Sequence, residues 1–570
     1  LVRNKKMFWD LLLLTVTGLI AIVPFIRHGI LYTGVDMGFH LNRVSEVYNT
    51  LKSGHIFSYL NTQSLNNVGT AVNMVYGVLP VYPLAVAMLV VKNKITAIYL
   101  GIYILLLLTS VIAYFSAYKF WHSRYKAVLF ALLYTYSAYS FDIYFGSFSL
   151  GQASAMLFLP MIAYGAYAIF FTNMREWWIL SLGMTGVIYT HLLSTLIYSS
   201  LVALLFLTAL VKQIDVRRYI YFGLAILVTI SATLFYWVSF RSIYSDTTIY
   251  TTEFKAAITG ENLASFSNSL INVILGIVVA LAFIISLCAW KKFTVSEKYL
   301  AMYALIYAVM LTNISNFLWY YLSKTPLKMI QWPGRFRVLL VFLVIALVVS
   351  VSDRLFVEIF SRRVYCGVLL TLSVLLWLSN SIDFFNARTA YTELDYRPTM
   401  TKSLPFVNFK ISNTKNYNNI VNKNYNGVGS LDYWPQKATE YYSALEDHRA
   451  IINGQTKVVK TKGIVNGVVF KDITLTQRSK VDLPMLAYGG FKYKVYANKK
   501  QIMSGISSRH TVLVDLNKGK YDVKVVYVPN NKIKLAKIIS VSTIFILLVY
   551  GSLSSCKRGN KTKQSQNISQ

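Results

Sequence analysis

Acids are scarce in this sequence. Its 570 residues hold 23 Asp and Glu against 56 Lys and Arg, a formal charge of +33. Charged residues of both signs make up only 14% of the chain, where a soluble domain carries about a quarter. Cysteine is scarcer still. Cys288, Cys366 and Cys556 lie in or beside apolar segments, so no disulfide framework is visible and the redox compartment is left open. No Gly-rich nucleotide-binding loop, heptad run, long repeat or collagen-like tract occurs. No soluble basic module stands apart, which argues against nucleic acid as the reason for the positive charge.

What the chain has instead is apolar length. Hydrophobic residues make up 55% of it, the mean hydropathy is +0.49, and apolar runs of about 17–22 residues recur, each long enough to cross a hydrocarbon core about 30 Å thick. The spans read from these runs are 8–26, 72–91, 95–117, 127–143, 153–171, 176–193, 194–211, 219–239, 269–290, 298–321, 336–352, 364–380 and 536–555. The expected fold is a polytopic α-helical membrane protein of about 12–13 spans. Residues 1–380 form the multi-span domain, 381–533 a mostly β extracytoplasmic domain, and 534–570 a final span with a basic cytoplasmic tail. The first run is followed by no small-residue cleavage site and reads as a retained anchor. Two readings of 72–91 stay open. Gly77, Pro80 and Pro83 suit a re-entrant or surface-lying element, and they also suit an ordinary proline-kinked span.

Basic loops orient the chain. Those at Lys119–Lys126, Lys212–Arg218, Lys291–Lys292 and Ser361–Arg363 fall on the cytoplasmic side together with both termini. The connections 27–71, 144–152, 240–268 and 322–335 then lie outside, with 381–533. In that region "FKYKVY" and "HTVLVDLNKGKYDVKVVYV" alternate apolar and polar residues, as half-buried strands do. The second predicts a hairpin turning at Asn517, Lys518 and Gly519, and the region as a whole predicts a sandwich. The Asn- and Tyr-rich stretch from Asn408 to Asn426 reads as irregular.

Against this background one acid stands out. In "TGVDMGFHLNRV", Asp36, His40 and Arg43 are spaced i, i+4, i+7 and would share one helix face. One Asp and one His make no convincing metal-ligand set, so no cofactor is expected, and metal dependence stays open. A carboxylate can instead take a proton from a hydroxyl, and a nearby cation can hold a phosphate. The alternative is a solvated loop with a chance cluster.

The stretch from Thr33 to Gly54 resembles the opening of a family of bacterial membrane proteins named 6-pyruvoyl-tetrahydropterin-synthase-related, and of the YfhO-like proteins. Their pattern is Gly-x-Asp-x-x-x-His-x-x-Arg followed by Leu-Lys-x-Gly. Further stretches follow the family order: "VYGVLPVYPLAVAML" (Val75 to Leu89), "GQASAMLFLPM" (Gly151 to Met161), "THLLSTL" (Thr190 to Leu196), "IQWPGRFRVLL" (Ile330 to Leu340), "LDYWP" (Leu431 to Pro435) and "VDLPMLAYGGFKYKVYANKK". Two positions depart from it. Gln152 stands where Glu is expected, which removes a second candidate carboxylate, and Gly334 stands where Trp is expected beside Arg335.

Proteins of this family resemble GT-C glycosyltransferases. The resemblance implies a membrane enzyme that moves a sugar from a polyprenyl-phosphate donor to a cell-envelope glycan or glycopolymer on the outer face, inverting the anomeric centre. Asp36 would be the general base. Arg335, with His40 and Arg43, would hold the leaving phosphate, while Gln152, His191 and Gln331 would contact substrate. For His191 the structural alternative is a histidine bonded between helices, and for Arg335 an interfacial anchor. Residues 381–532 carry 23 Lys and Arg against 11 Asp and Glu. That balance suits a polyanionic acceptor of teichoic-acid type or anionic lipid headgroups. Two other functions fit the same composition: a flippase of lipid-linked glycans, which would need a polar track through the bilayer, and a scaffold for an envelope machine.

Overall fold

The computed structural model describes residues 2–212, 215–245, 247–251, 258–269, 276–288, 290–355, 362–393, 409–422 and 431–568. Among these, seven helices are long and apolar enough to cross a bilayer: Lys5–His28, Lys94–Trp121, Leu150–Phe171, Leu192–Val211, Pro333–Asp353, Gly367–Asn386 and Asn531–Ser554. Val216–Ala232 and Leu234–Tyr244 add an eighth if the pair, bent by 58°, is one span. At the bend the Thr233 hydroxyl donates back to the Thr229 carbonyl at 2.8 Å, a contact that bends helices. The chain is a multi-pass membrane protein.

Hydropathy predicts more spans than this because several apolar runs are folded as short helices. Arg124–Thr135 and Trp177–Ile188 have 12 residues each and Val295–Leu311 has 17. At 1.5 Å per residue these reach about 18–26 Å. The 127–143 run breaks after Thr135, continues as Ala138–Phe141, and ends in a π-turn, Asp142–Gly146. An apolar run reports apolar surroundings, whether or not it forms one straight helix. The 72–91 run likewise forms no continuous crossing helix. It holds one turn at Val72–Val75, a break, and the ten-residue helix Val81–Val90. Pro80 caps that helix and Pro83 lies in its first turn, where a missing N–H costs no internal bond.

Pro333–Asp353 is the central helix, with 89% of its apolar window buried. Its residues from Val338 to Val349 are apolar on every face, the pattern of a helix surrounded by others. The basic ends of the neighbouring helices meet at one face. There Arg124 clasps Asp10 with two bonds at 2.6 and 2.7 Å, Lys119 pairs with Glu176 at 2.7 Å, and Lys126 pairs with Asp353 at 3.1 Å.

Two five-stranded antiparallel sheets follow near the C-terminus. One runs Lys500–Ile502, Lys492–Ala497, Gly519–Val528, Gly467–Leu475, Lys460–Ile464. The other runs Ser504–Ile506, Thr511–Leu516, Ser479–Leu486, Arg449–Ile452, Gln455–Val458. Their inner faces share a core that includes Phe470, Val481, Leu483, Val495, Val514 and Val525. This placement corrects the predicted hairpin. Thr511–Leu516 and Gly519–Val528 lie in different sheets, so Asn517 and Lys518 carry the chain across the sandwich. Alternation marks each strand's buried side and says nothing of its partner. The stretch read as irregular contains a strand, Phe409–Ile411, and a helix, Thr414–Asn422; residues 423–430 lie outside the described residues.

The first long loop, between Lys5–His28 and Val81–Val90, packs in part on this sandwich. Asn466 Oδ1 accepts from the Tyr59 and Leu60 amides at 2.6 and 3.2 Å. Thr62 donates to the Ile464 carbonyl at 2.7 Å, and the Leu486 amide donates to the Val68 carbonyl at 2.8 Å. A small sheet ties Leu31–Tyr32 to Phe409–Ile411. The segment 27–71 thus packs on both parts: Met37, Leu41, Val44 and Val47 join the core of the helical bundle, and Tyr59, Leu60, Val68 and Ala71 join that of the sandwich.

Candidate active site

Asp36 occupies the N-cap position of the helix Met37–Lys52, yet its side chain makes no capping bond. The carboxylate turns away and accepts from Ser149 Oγ at 2.8 Å. Its own amide donates to the Ser147 carbonyl at 3.2 Å. Ser149 follows the π-turn at Asp142–Gly146, an irregularity that often marks functional positions. Burial raises the Asp36 carboxyl above its ordinary value of 3.8; Asp432 adds to the rise, while the Ser149 bond and the Arg335 charge oppose it.

Tyr76 sits at the centre. The Arg43 guanidinium lies 4.6 Å from its ring centroid, and the rings of His40 and His191 lie 5.8 and 5.6 Å from it. The break in the 72–90 segment brings Tyr76 here. Gly77 permits the break to rest on the neighbouring turn, since a Cβ there would meet the Thr190 carbonyl oxygen at 2.4 Å. Gly151 likewise leaves room for the Tyr76 hydroxyl, which a Cβ would meet at 2.4 Å.

Arg43 does not reach outward. It donates to the carbonyls of Tyr76 and Gly77 at 3.1 and 2.7 Å and to Asn73 Oδ1 at 3.4 Å, leaving one buried nitrogen, Nη1, without a partner among the described residues. The arginine thus clamps the broken segment. His40 is buried with neither ring nitrogen bonded, and burial beside Arg43 and His191 holds it well below 6.5, hence neutral.

His191 caps the helix Leu192–Val211 by accepting from the Ser194 amide at its Nδ1, 3.2 Å away. That bond leaves the proton on Nε2. Arg335 lies in the opening turn of the central helix, Pro333–Phe336, and donates to Gln331 Oε1. Its Nε is buried and unbonded among the described residues, and its charge acts on both Asp36 and His191. The glycine found in place of tryptophan is explained by the residue before the proline. A Cβ on Gly334 would strike the Trp332 ring at 2.0 Å, so Trp332 fills the space that a tryptophan at 334 would need. Gln152 Nε2 donates to the Tyr139 hydroxyl at 2.6 Å.

All seven residues named from the sequence thus lie at one end of the helical bundle. The sequence reading missed Ser149, Tyr76, Tyr139, Asp432 and Tyr433. The last two belong to "LDYWP", so the segment leading into the sandwich also reaches the site. Tyr433 is held there at a φ of +69°, its amide on the Tyr250 carbonyl at 3.0 Å and its carbonyl on the Tyr488 hydroxyl at 2.9 Å. For a bulky residue such a φ is a strained conformation, which often accompanies function. Among the described residues no group of three or more His, Cys, Asp or Glu could hold a metal ion.

No family model matches the chain. Over 223 residues it is 26% identical to an uncharacterized protein of Lactococcus lactis subsp. cremoris (strain MG1363). The match covers 38% of this chain and 35% of that protein. Among solved structures, the cryo-EM structure of the mycobacterial arabinofuranosyltransferase AftD aligns with a TM-score of 0.42 and 12% identity, over 65% of this chain and 26% of its own.

Proposed function

We propose that this chain is a membrane glycosyltransferase of GT-C type that moves a sugar from a polyprenyl-phosphate donor to a cell-envelope acceptor on the outer face. The observation that carries the reading is one convergence. A half-buried carboxylate, Asp36, lies under the influence of a half-buried arginine, Arg335, whose buried Nε is unbonded among the described residues, at one end of a helical bundle that carries a β-sandwich. Asp36 takes the proton of the acceptor hydroxyl as its oxygen attacks the anomeric carbon. The bond from that carbon to the phosphate oxygen breaks, the electron pair leaves with the phosphate, and the anomeric centre inverts. Arg335 holds the charge developing on the phosphate, where a preorganised cation in a buried site acts most strongly. His191 offers its Nε2 proton to substrate, Gln152 and Gln331 line the site, and Arg43 and His40 hold Tyr76 and the broken segment in place. The basic sandwich gathers a polyanionic acceptor of teichoic-acid type by diffuse attraction.

The flippase reading requires a polar path through the bilayer. Between Arg337 and Asp353 the central helix carries no charged residue, which favours the transferase. The test is donor use by purified protein. Arg335→Lys keeps charge but loses the two-pronged grip on phosphate and is expected to weaken donor use, whereas Arg335→Ala is expected to abolish nearly all of it. Donor use by Arg335→Ala equal to wild type would reduce Arg335 to a membrane anchor.

A further inference from the structure

A second site lies at the opposite face of the bundle. A cavity of about 470 Å³ opens between the spans Lys94–Trp121, Leu150–Phe171, Leu192–Val211 and Pro333–Asp353 and the helix Val295–Leu311. That volume falls in the range of small-ligand pockets. Its depth is apolar and aromatic, with Phe130, Tyr164, Leu201 and Phe342 among the lining residues. Its exposed lining residues gather at one end: Lys212, Thr294, Val295 and Ser296. Lys212 follows His191 by 21 residues of helix, or about 30 Å at the helical rise. The mouth and Asp36 therefore belong to opposite membrane faces.

The mouth faces the side where basic residues collect. Lys119, Arg124 and Lys126 are paired there with Glu176, Asp10 and Asp353. Lys212 has no carboxylate partner among the described residues. Its Nζ lies 4.7 Å from the Tyr299 ring centroid and 5.9 Å from that of Phe171, so the charge is held over the opening by the aromatic rim.

We propose that this cavity binds an anionic phospholipid, with one acyl chain between the helices and the phosphate on Lys212. Water in so apolar a space would find few partners, and an acyl chain is the apolar ligand that a bilayer supplies at that depth. A single lysine beside an anionic headgroup contributes a factor of about five in affinity. The phosphate of a donor poised for attack at Asp36 would lie at the other face, so this site is distinct from the one proposed for transfer.

The test is native mass spectrometry of the purified, delipidated full-length protein. Phosphatidylglycerol, phosphatidylethanolamine and a polyprenyl phosphate are offered at equal concentration. The wild type is expected to retain phosphatidylglycerol over the other two. Lys212→Gln, a surface change that leaves the core intact, is expected to lower that retention about fivefold, and Leu205→Trp, at another lining residue, to remove it by filling the cavity. Equal retention of phosphatidylethanolamine, or of phosphatidylglycerol by Lys212→Gln and wild type, would overturn the proposal. Preferential retention of the polyprenyl phosphate would overturn the phospholipid assignment.

Discussion

Asp36 is one of few acids in the chain, and its surroundings suit a base. It sits where a helix would use it as a cap, yet Ser149 holds it instead. Removing the carboxylate's charge with Asp36→Asn is expected to leave membrane insertion intact and to cut transfer by at least about 10²-fold. Burial raises this carboxyl, and the proposed role as a base needs it ionised, so wild-type activity should climb with pH through a midpoint above the ordinary 3.8. The acid limb of that profile should vanish in Asp36→Asn; a limb that persists would assign the titration to another group. Among single residues, those with a distinctive chemical type were legible in the sequence. The i, i+4, i+7 spacing put Asp36, His40 and Arg43 together. That Arg43 grips carbonyls at Tyr76 and Gly77 was not legible, because any residue offers a carbonyl. Tyr76 was hidden for a different reason, being one of 42 tyrosines.

At the scale of elements, the helix Met37–Lys52 joins the site to the sandwich. Asp36 stands at its N-cap position, its first turn carries His40, and its third carries Glu46, a fully buried acid. Glu46 accepts from the Gln63 amide at 2.7 Å, from Ser58 at 3.0 Å and from Ser64 at 3.1 Å, clamping the loop that docks on the strands. Burial pushes Glu46 up to about 7, against the opposing effect of these bonds. A carboxyl raised on folding binds its proton more tightly in the native state. Its contribution is therefore full below the unfolded value of 4.5 and is lost as pH rises to about 7, a change of roughly 3 kcal/mol. Glu46→Gln should remove that dependence, flattening the thermal midpoint between these pH values; an unchanged slope would exclude Glu46 as its source. Element type was read well from periodicity, and element length and pairing less well. The apolar runs near 127–143 and 72–91 were visible, but their internal breaks follow from tertiary contacts such as Gly77 on Thr190. The strands after His510 were visible too, although their division between two sheets depends on which faces the sandwich buries.

For the whole molecule, the site end and the basic end of the bundle lie on opposite faces. The broken segment 72–90 returns the chain to the face of the first loop. Lys94 accordingly lies with its Nζ 3.7 Å from the Tyr48 ring centroid, on the helix of that loop. With Cys288, Cys366 and Cys556 replaced, a cysteine at Lys92 should react with an impermeant thiol reagent from the same side as a cysteine at His55. Reaction from opposite sides would make the segment a true crossing. The central claim concerns what the assembled site does, and the composition of the envelope reads it most directly. Cells carrying Asp36→Asn at normal protein levels should match a deletion strain: one sugar missing from an envelope polymer, and the corresponding lipid-linked sugar accumulated. An envelope identical to wild type in the Asp36→Asn cells, beside a changed envelope in the deletion, would contradict Asp36 as the base of a glycosyl transfer.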